Sequence, residues 1–228
     1  MTVFLGCLVG YILEFVSPDA NNTFFDSEPG GRVAAPGPLA LVQAFANTAA
    51  EEGQYRWEAF TDPGSLRYWL TRSGLLDEEE AVDEADVAWA KQVRSGLRSL
   101  LAANNGGEID PGALEALNDA TERAALIVRF GADGRAVLEA SADGVEGAIG
   151  RVLVAVCVGM EDGMWERLKT CANTRCGWAF YDRSRNRSGR WCSMDVCGNR
   201  AKTRAYRRRT SERGTQAHSG PQIPGSPA

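Results

Sequence analysis

The sequence predicts an α+β protein: a predominantly helical body with one small β-hairpin, then a C-terminal four-cysteine module built as a β-hairpin followed by a basic helix. Three observations predict it. Apolar residues recur at helical spacing behind Asp-Pro pairs through most of residues 1–164. One stretch only, around Leu126 and Val137, reads as two strands joined by a glycine turn. Four of the six cysteines crowd into a single short window near the C-terminus. A chain of 228 residues with 44% hydrophobic and 24% charged side chains has room for one core-bearing domain and a small appended module.

In the body, Pro36-Gly37-Pro38 opens a helix expected over 39–50, with Leu39, Val42, Phe45, Ala46 and Ala49 on one face. Asp62-Pro63 reads as an N-cap followed by proline at the first helical position, and Leu66, Trp69 and Leu70 carry that helix towards Gly74. A long helix is expected from Asp77 to about Ala103, stopped by Asn104-Asn105-Gly106-Gly107. The run Asp77-Glu78-Glu79-Glu80 would then complement the macrodipole in its first turn, a simpler reading than a metal site. Asp110-Pro111 repeats the cap signal. Residues 126–130 and 135–139 flank Gly131-Ala132-Asp133-Gly134 as a β-hairpin. Asp143 begins a further helix with Val145, Ile149, Val152, Leu153 and Val156 as its apolar face, and Cys157 within it is expected to be a small buried hydrophobe.

The organisation expected is a leader of uncertain structure over 1–32, an acidic, mostly helical domain over 33–164, a cysteine module with a basic helix over 165–212, and a disordered tail over 213–228. Residues 1–16 are largely apolar but hold no Lys or Arg, which speaks against a secretory signal, and are too short to span a membrane. A later translation start is the second reading, since orderly patterning begins near Gly37. A cytoplasmic location is therefore expected, where closely spaced cysteines favour metal over disulfide.

Several function classes are poorly supported. The lone histidine, His218, lies in the Gly/Pro/Ser tail, so Ser-His-Asp or Cys-His catalysis and His-ligated metals have little basis. The body holds no Gly-rich phosphate loop or nucleophile elbow. No catalytic residue is assigned, and the chain is read as a non-enzyme. The net charge of −5 hides a split: residues 1–164 hold 11 Lys/Arg and 26 Asp/Glu (−15), and residues 165–213 hold 14 and 4 (+10). An asymmetry of this kind points one end of the chain at an acidic partner.

Cys171, Cys176, Cys192 and Cys197 form two C-x4-C pairs separated by fifteen residues. Two tight turns, each presenting two thiolates, suit one tetrahedral Zn²⁺ with no open position, a structural site; two disulfides or four ordinary thiols are the alternatives. Between the pairs, Trp178 and Phe180 alternate as on a strand, Arg190-Trp191-Cys192 is expected to be the returning strand, and Trp178 and Trp191 are read as core packing. A helix is expected after Cys197, with Arg200, Arg204 and Arg207 on one face. Four thiolates with Zn²⁺ sum to −2, which leaves the module near +8, a surplus best matched by nucleic-acid phosphates. Arg183, Arg185, Arg187, Arg190, Asn199, Arg200, Lys202, Arg204, Arg207 and Arg208 are the candidate nucleic-acid contacts.

The residues Cys171-Ala172-Asn173, Cys176-Gly177-Trp178, Asn186-Arg187-Ser188, Arg190-Trp191-Cys192-Ser193-Met194 and Cys197-Gly198-Asn199-Arg200 resemble the CGNR zinc-finger family. Phe45-Ala46-Asn47-Thr48, Leu66 to Leu70 and Gly74-Leu75-Leu76 are similar to the ABATE domain that precedes such fingers, described as a stress-induced transcription regulator. The resemblance covers about 36–209. It implies the four cysteines as ligands of one structural zinc, Asn199 and Arg200 in the signature turn, and a DNA-binding regulator whose N-terminal domain senses or dimerises. Asn47 and Thr48 are held open as ligand-binding or capping residues. An RNA-binding protein using the same module is the alternative, and an enzyme with its site in the acidic body a more distant one. DNA, with a homodimer and an unknown small-molecule effector as further partners and no membrane, completes the expectation.

Overall fold

Side chains that satisfy the free amides of a first turn decide where these helices start. In the computed structural model, which describes residues 27–28, 32–52 and 55–217 (side chains over 33–50 and 56–210), Asp62, Asp83 and Asp110 each accept from an amide of the turn they open. Among the described residues the α-helices are α1 (Leu39–Ala46), α2 (Pro63–Arg72), α3 (Glu84–Ala103), α4 (Pro111–Arg123), α5 (Gly144–Glu161) and α6 (Asn199–Ala217). Among the described residues the strands form four antiparallel pairs: β1 (Ser27–Glu28) with β2 (Arg32–Val33), β3 (Ala49–Glu52) with β4 (Tyr55–Glu58), β5 (Leu126–Phe130) with β6 (Ala136–Ala140), and β7 (Leu168–Thr170) with β8 (Ala179–Tyr181). The class is mixed α+β, with no helix among the described residues long and apolar enough to cross a membrane.

Two compact units divide the chain between Cys192 and Ser193. In the first, α5 is buried on nearly every side and forms the centre of the core. Its Gly159 meets α1 so closely that a Cβ there would lie 2.4 Å from Leu39. Phe45, Phe60 and Trp69 pack as a tilted and edge-on trio with centroids 5.5–5.8 Å apart. Trp165, Leu168 and Ala179 belong to the same core. The β7–β8 hairpin, three residues per strand, is thus part of the body's own packing. The second unit is one continuous element: Ser193 caps a π-turn, Met194–Gly198, from which α6 continues.

Several elements differ from expectation, each for a visible reason. The first helix ends at Ala46, because Asn47 turns its side chain to β8 and the chain at Ala49 enters β3. The long helix starts at Glu84 and not at Asp77, because Asp83 and Asp86 exchange reciprocal bonds of 3.0 Å in a capping box. Asp77 to Glu80 form a turn outside it. The partner of β8 is Leu168–Thr170, not 190–192; the latter segment is joined to the cysteine turn by a backbone bond, Ala172 N–H to the Arg190 carbonyl, 2.8 Å. Cys157 is only half-buried, and α6 runs to Ala217, past the expected start of the tail. Most of the expected leader, and residues 218–228, lie outside the described residues.

The helix start can be tested by urea denaturation. Asp83→Ala lowers stability by about 1 kcal/mol through loss of the cap, whereas Asp77→Ala changes it by less than about 0.5 kcal/mol.

Candidate metal centre and basic surface

The first ligand pair is set by a tight turn. Cys176 and Gly177 N–H both donate to the Asn173 carbonyl, at 2.7 and 3.3 Å, and Cys171 N–H donates to the Trp178 carbonyl at 2.9 Å, so the chain reverses within six residues of Cys171. Cys197 sits in the π-turn ahead of α6, its N–H donating to the Ser193 carbonyl. The four sulfurs of Cys171, Cys176, Cys192 and Cys197 all lie within 4.8 Å of one another, and the Cys176 and Cys192 sulfurs are 3.6 Å apart. A tetrahedral ion with Zn–S bonds of about 2.3 Å requires sulfurs about 3.8 Å apart. The donor set fits one Zn²⁺.

Charge leads to the same conclusion. Hydrogen bonds from Cys176 and then Cys192 pull the Cys171 thiol down to about 2, the bond to Cys171 pushes Cys176 up to about 12, and Cys192 is raised further by both neighbours. Thiolates this close repel one another, and a bound cation offsets that repulsion. The ion's chemistry here is structural, because four protein thiolates leave no position for water or substrate.

Four side chains of the body fasten this centre. Asn47 is buried, donating to the Ala179 carbonyl at 3.0 Å and accepting the Ala179 N–H at 2.8 Å, as an additional ladder rung for β8. Asn104 donates to the Trp165 and Leu168 carbonyls, both at 2.9 Å, and Asn105 to those of Thr170 and Arg190, at 2.7 and 3.0 Å. Arg98 donates to the Ala46 and Ala49 carbonyls and, at 2.6 Å, to Gly177, the residue after a ligand. Gly177 has φ +60°, and a Cβ there would lie 2.2 Å from the Arg98 guanidinium. Thr48 is also buried: its hydroxyl donates to the Phe45 carbonyl and accepts from Arg94, which forks onto Glu58 at 2.8 and 2.6 Å. Asn47 and Thr48 are therefore engaged within the fold.

The loop after β8 is organised from below by a buried ion pair. Lys169 Nζ donates to Asp182 Oδ2 at 2.8 Å and to the carbonyls of Arg187 and Gly189, and Arg167 donates to those of Asp182 and Ser184. Burial alone would raise the Asp182 carboxyl. Bonds from Lys169 and from the Ser184 and Gly189 amides more than offset it and hold the group at about 2. Arg187 has φ +53°, a left-handed conformation that turns its carbonyl to Lys169. This frame leaves Arg183, Arg185, Arg187 and Arg190 exposed. Arg183 donates to the Ala34 carbonyl and lies over Tyr181, and Arg187 pairs with Glu166 at 3.6 Å.

In the second unit Arg200, Lys202, Arg204, Arg207 and Arg208 are all exposed, while Ala201 and Ala205 are half-buried. Asn199 donates to the Asp195 carbonyl at 3.1 Å and so serves the turn. Trp178 is buried and Trp191 half-buried. Sequence reasoning missed Lys169, Asp182, Arg98, Asn104 and Asn105. The asparagines read only as a helix stop, and their reach to strands more than sixty residues away leaves no local signal. Gly177 directly after Cys176 was the one available hint of Arg98.

Residues 39–160, more than half of the chain, match the ABATE family model, whose description is "Putative stress-induced transcription regulator". Residues 167–210 match the CGNR zinc-finger model. No curated protein matches the chain.

Because β7–β8 shares the body's core, removing zinc with a chelator should lower the thermal midpoint of the acidic body itself; circular dichroism that shows the body melting unchanged would contradict this. Asp182→Ala, which leaves Lys169 buried without its partner, should cost about 3–5 kcal/mol. A depressed carboxylate contributes stability above its ordinary pKa, so the difference from wild type should be complete above about pH 4 and shrink as pH falls towards 2, followed by urea titration across that range.

Proposed function

This chain belongs to the ABATE family and carries a CGNR zinc finger, and from that premise we propose that it is a cytoplasmic DNA-binding transcription regulator. The zinc-containing module would hold DNA, and the acidic body would sense a signal or dimerise. The observation that carries this reading is α6: over Asn199–Ala217 it holds seven Lys/Arg and one Asp/Glu, a balance of +6, on a helix that begins two residues after the last zinc ligand. An isolated helix of such composition repels itself, and neutralised phosphates relieve that repulsion while releasing counterions. The exposed Arg183, Arg185, Arg187 and Arg190, held on a loop framed by Lys169 and Asp182, would add further backbone contacts.

Arg200, Arg204 and Arg207, three and four residues apart, form one row suited to following a groove wall. Asn199 contributes to the turn more than to contact, because its amide is used by the Asp195 carbonyl. RNA recognition through stacked bases draws no support from Trp178, whose ring is buried. The regulatory reading is supported by the description of the ABATE family, to which residues 39–160 belong.

Elemental analysis of the purified chain should give one zinc per molecule, lost in Cys176→Ser. Anisotropy with a DNA duplex across a salt series should give a log–log slope of about −4 to −5, for about five neutralised phosphates. Arg200→Ala with Arg204→Ala should shallow that slope by about two and weaken binding at every sequence tested. Affinity indifferent to salt or to the double variant would overturn the proposal, and structured RNA that outcompetes the duplex would redirect it.

A further inference from the structure

The β5–β6 hairpin, within the first unit, is packed at its base and bare towards its tip. At the base Leu126 and Ala140 lie against α5, where a Cβ on Gly150 would meet Ala140 at 2.5 Å and Leu126 at 3.4 Å. The register sets Val128 opposite Leu138 and Phe130 opposite Ala136, which places all of them on that same apolar face. Towards the tip the face loses its cover: Val128 is 61% exposed and Phe130 71%. β6 is half-buried from Val137 to Ala140, so the bare strand is β5.

Among the described residues β5 pairs with β6 alone. Gly131 N–H donates to the Arg135 carbonyl at 2.8 Å, and Ser141 N–H to the Ala125 carbonyl at 3.2 Å. That parity turns the backbone of Ile127 and Arg129 to β6, and the amides and carbonyls of Leu126, Val128 and Phe130 outward. The edge lacks the usual guards: it has no proline or bulge, and its one charge, Arg129, is paired with Glu139. Charge selects the occupant. Residues 1–164 sum to −15, yet 126–140 hold two Arg and two Asp/Glu, Arg129 with Glu139 and Arg135 with Asp133, a sum of zero. Two acidic bodies that repel elsewhere have here a neutral apolar surface on which to meet.

We propose that β5 is the dimerisation edge of this chain, pairing antiparallel with β5 of a second copy about Val128 to make one four-stranded sheet. The proposal rests on the dimerising role given above to the acidic body, and supplies its surface. The register is self-complementary: Val128 meets Val128 and Leu126 meets Phe130, each through its outward backbone groups. Facing residues share a face, so each Phe130 comes to lie beside the second copy's Leu126, on the side where Leu126 packs against α5. What is bare in one copy extends the core of the other. One short strand buries little area, which places the dimer at the weak, micromolar end of the scale.

Sedimentation equilibrium of the full zinc-loaded chain without DNA, from about 1 to 200 µM, should show a reversible monomer–dimer equilibrium that holds or tightens as added salt screens the repulsion between bodies. In hydrogen exchange the Val128 and Phe130 amides should slow as protein concentration rises, and those of Ile127 and Arg129, already bonded to β6, should change far less. Val128→Pro removes the central outward amide without breaking a β6 bond, and Phe130→Lys sets a charge against the second copy's Leu126. Each should weaken the dimer at least about tenfold, with zinc content and the thermal midpoint of the dilute protein unchanged. A chain monomeric throughout would remove the dimerising role and the proposal with it, leaving the edge to a strand of another protein. A dimer that survives both variants, or that dissociates in salt, overturns the proposal and keeps that role. Failure of the DNA-binding reading leaves all of these measurements intact and appears only in the duplex salt series.

Discussion

A hairpin with three residues per strand cannot satisfy its own backbone, and that shortfall governs the architecture of this protein. Among the described residues, no third strand pairs with β7 or β8. Side chains from elsewhere do so: Asn47 at Ala179, Asn104 at Trp165 and Leu168, Asn105 at Thr170 and Arg190, and Arg98 at Gly177. Each bond spans a long stretch of sequence and fixes an element of the body to the metal-bearing turn. Zinc, in this arrangement, is one of several fasteners on a shared core.

The arginines illustrate how one residue type does three different jobs. Arg94 and Arg98 are interior or near-interior and spend their forks on a carboxylate and on carbonyls. Arg167 is half-buried and Arg183 exposed, and both are tied to backbone carbonyls, Arg167 to those of Asp182 and Ser184 and Arg183 to that of Ala34. Those of α6 from Arg200 to Arg209 are exposed, on a helix with no apolar stripe of its own. Planar, permanently charged forks suit the first two roles for geometric reasons and the last for electrostatic ones. The whole-chain charge conceals this division.

What was legible in the sequence was local chemistry. Asp62-Pro63 and Asp110-Pro111 announced their helices because a cap and its proline are adjacent. The cysteine spacing announced one metal, since two short pairs constrain four sulfurs to one point. The β5–β6 hairpin was visible because both strands flank their turn. Asp77 misled because an acidic run and a true cap look alike, and only the reciprocal Asp83–Asp86 bonds distinguish them. Lys169 was illegible for a different reason: a lysine between Leu168 and Thr170 gives no sign that its partner is thirteen residues on, in the bottom of a loop. Polar groups buried in the company of distant backbone leave no periodicity to read.

The π-turn at Met194–Gly198 has a geometric consequence for the helix it begins. A π-turn carries one residue more than an α-turn, and each residue of an α-helix advances about 100° around the axis. The azimuth of the Arg200, Arg204 and Arg207 row relative to Cys197 is therefore fixed by residue count. One residue more or fewer in that turn would leave every side chain chemically intact and rotate the row through more than a quarter of a circle. In this helix, aim is a matter of phase.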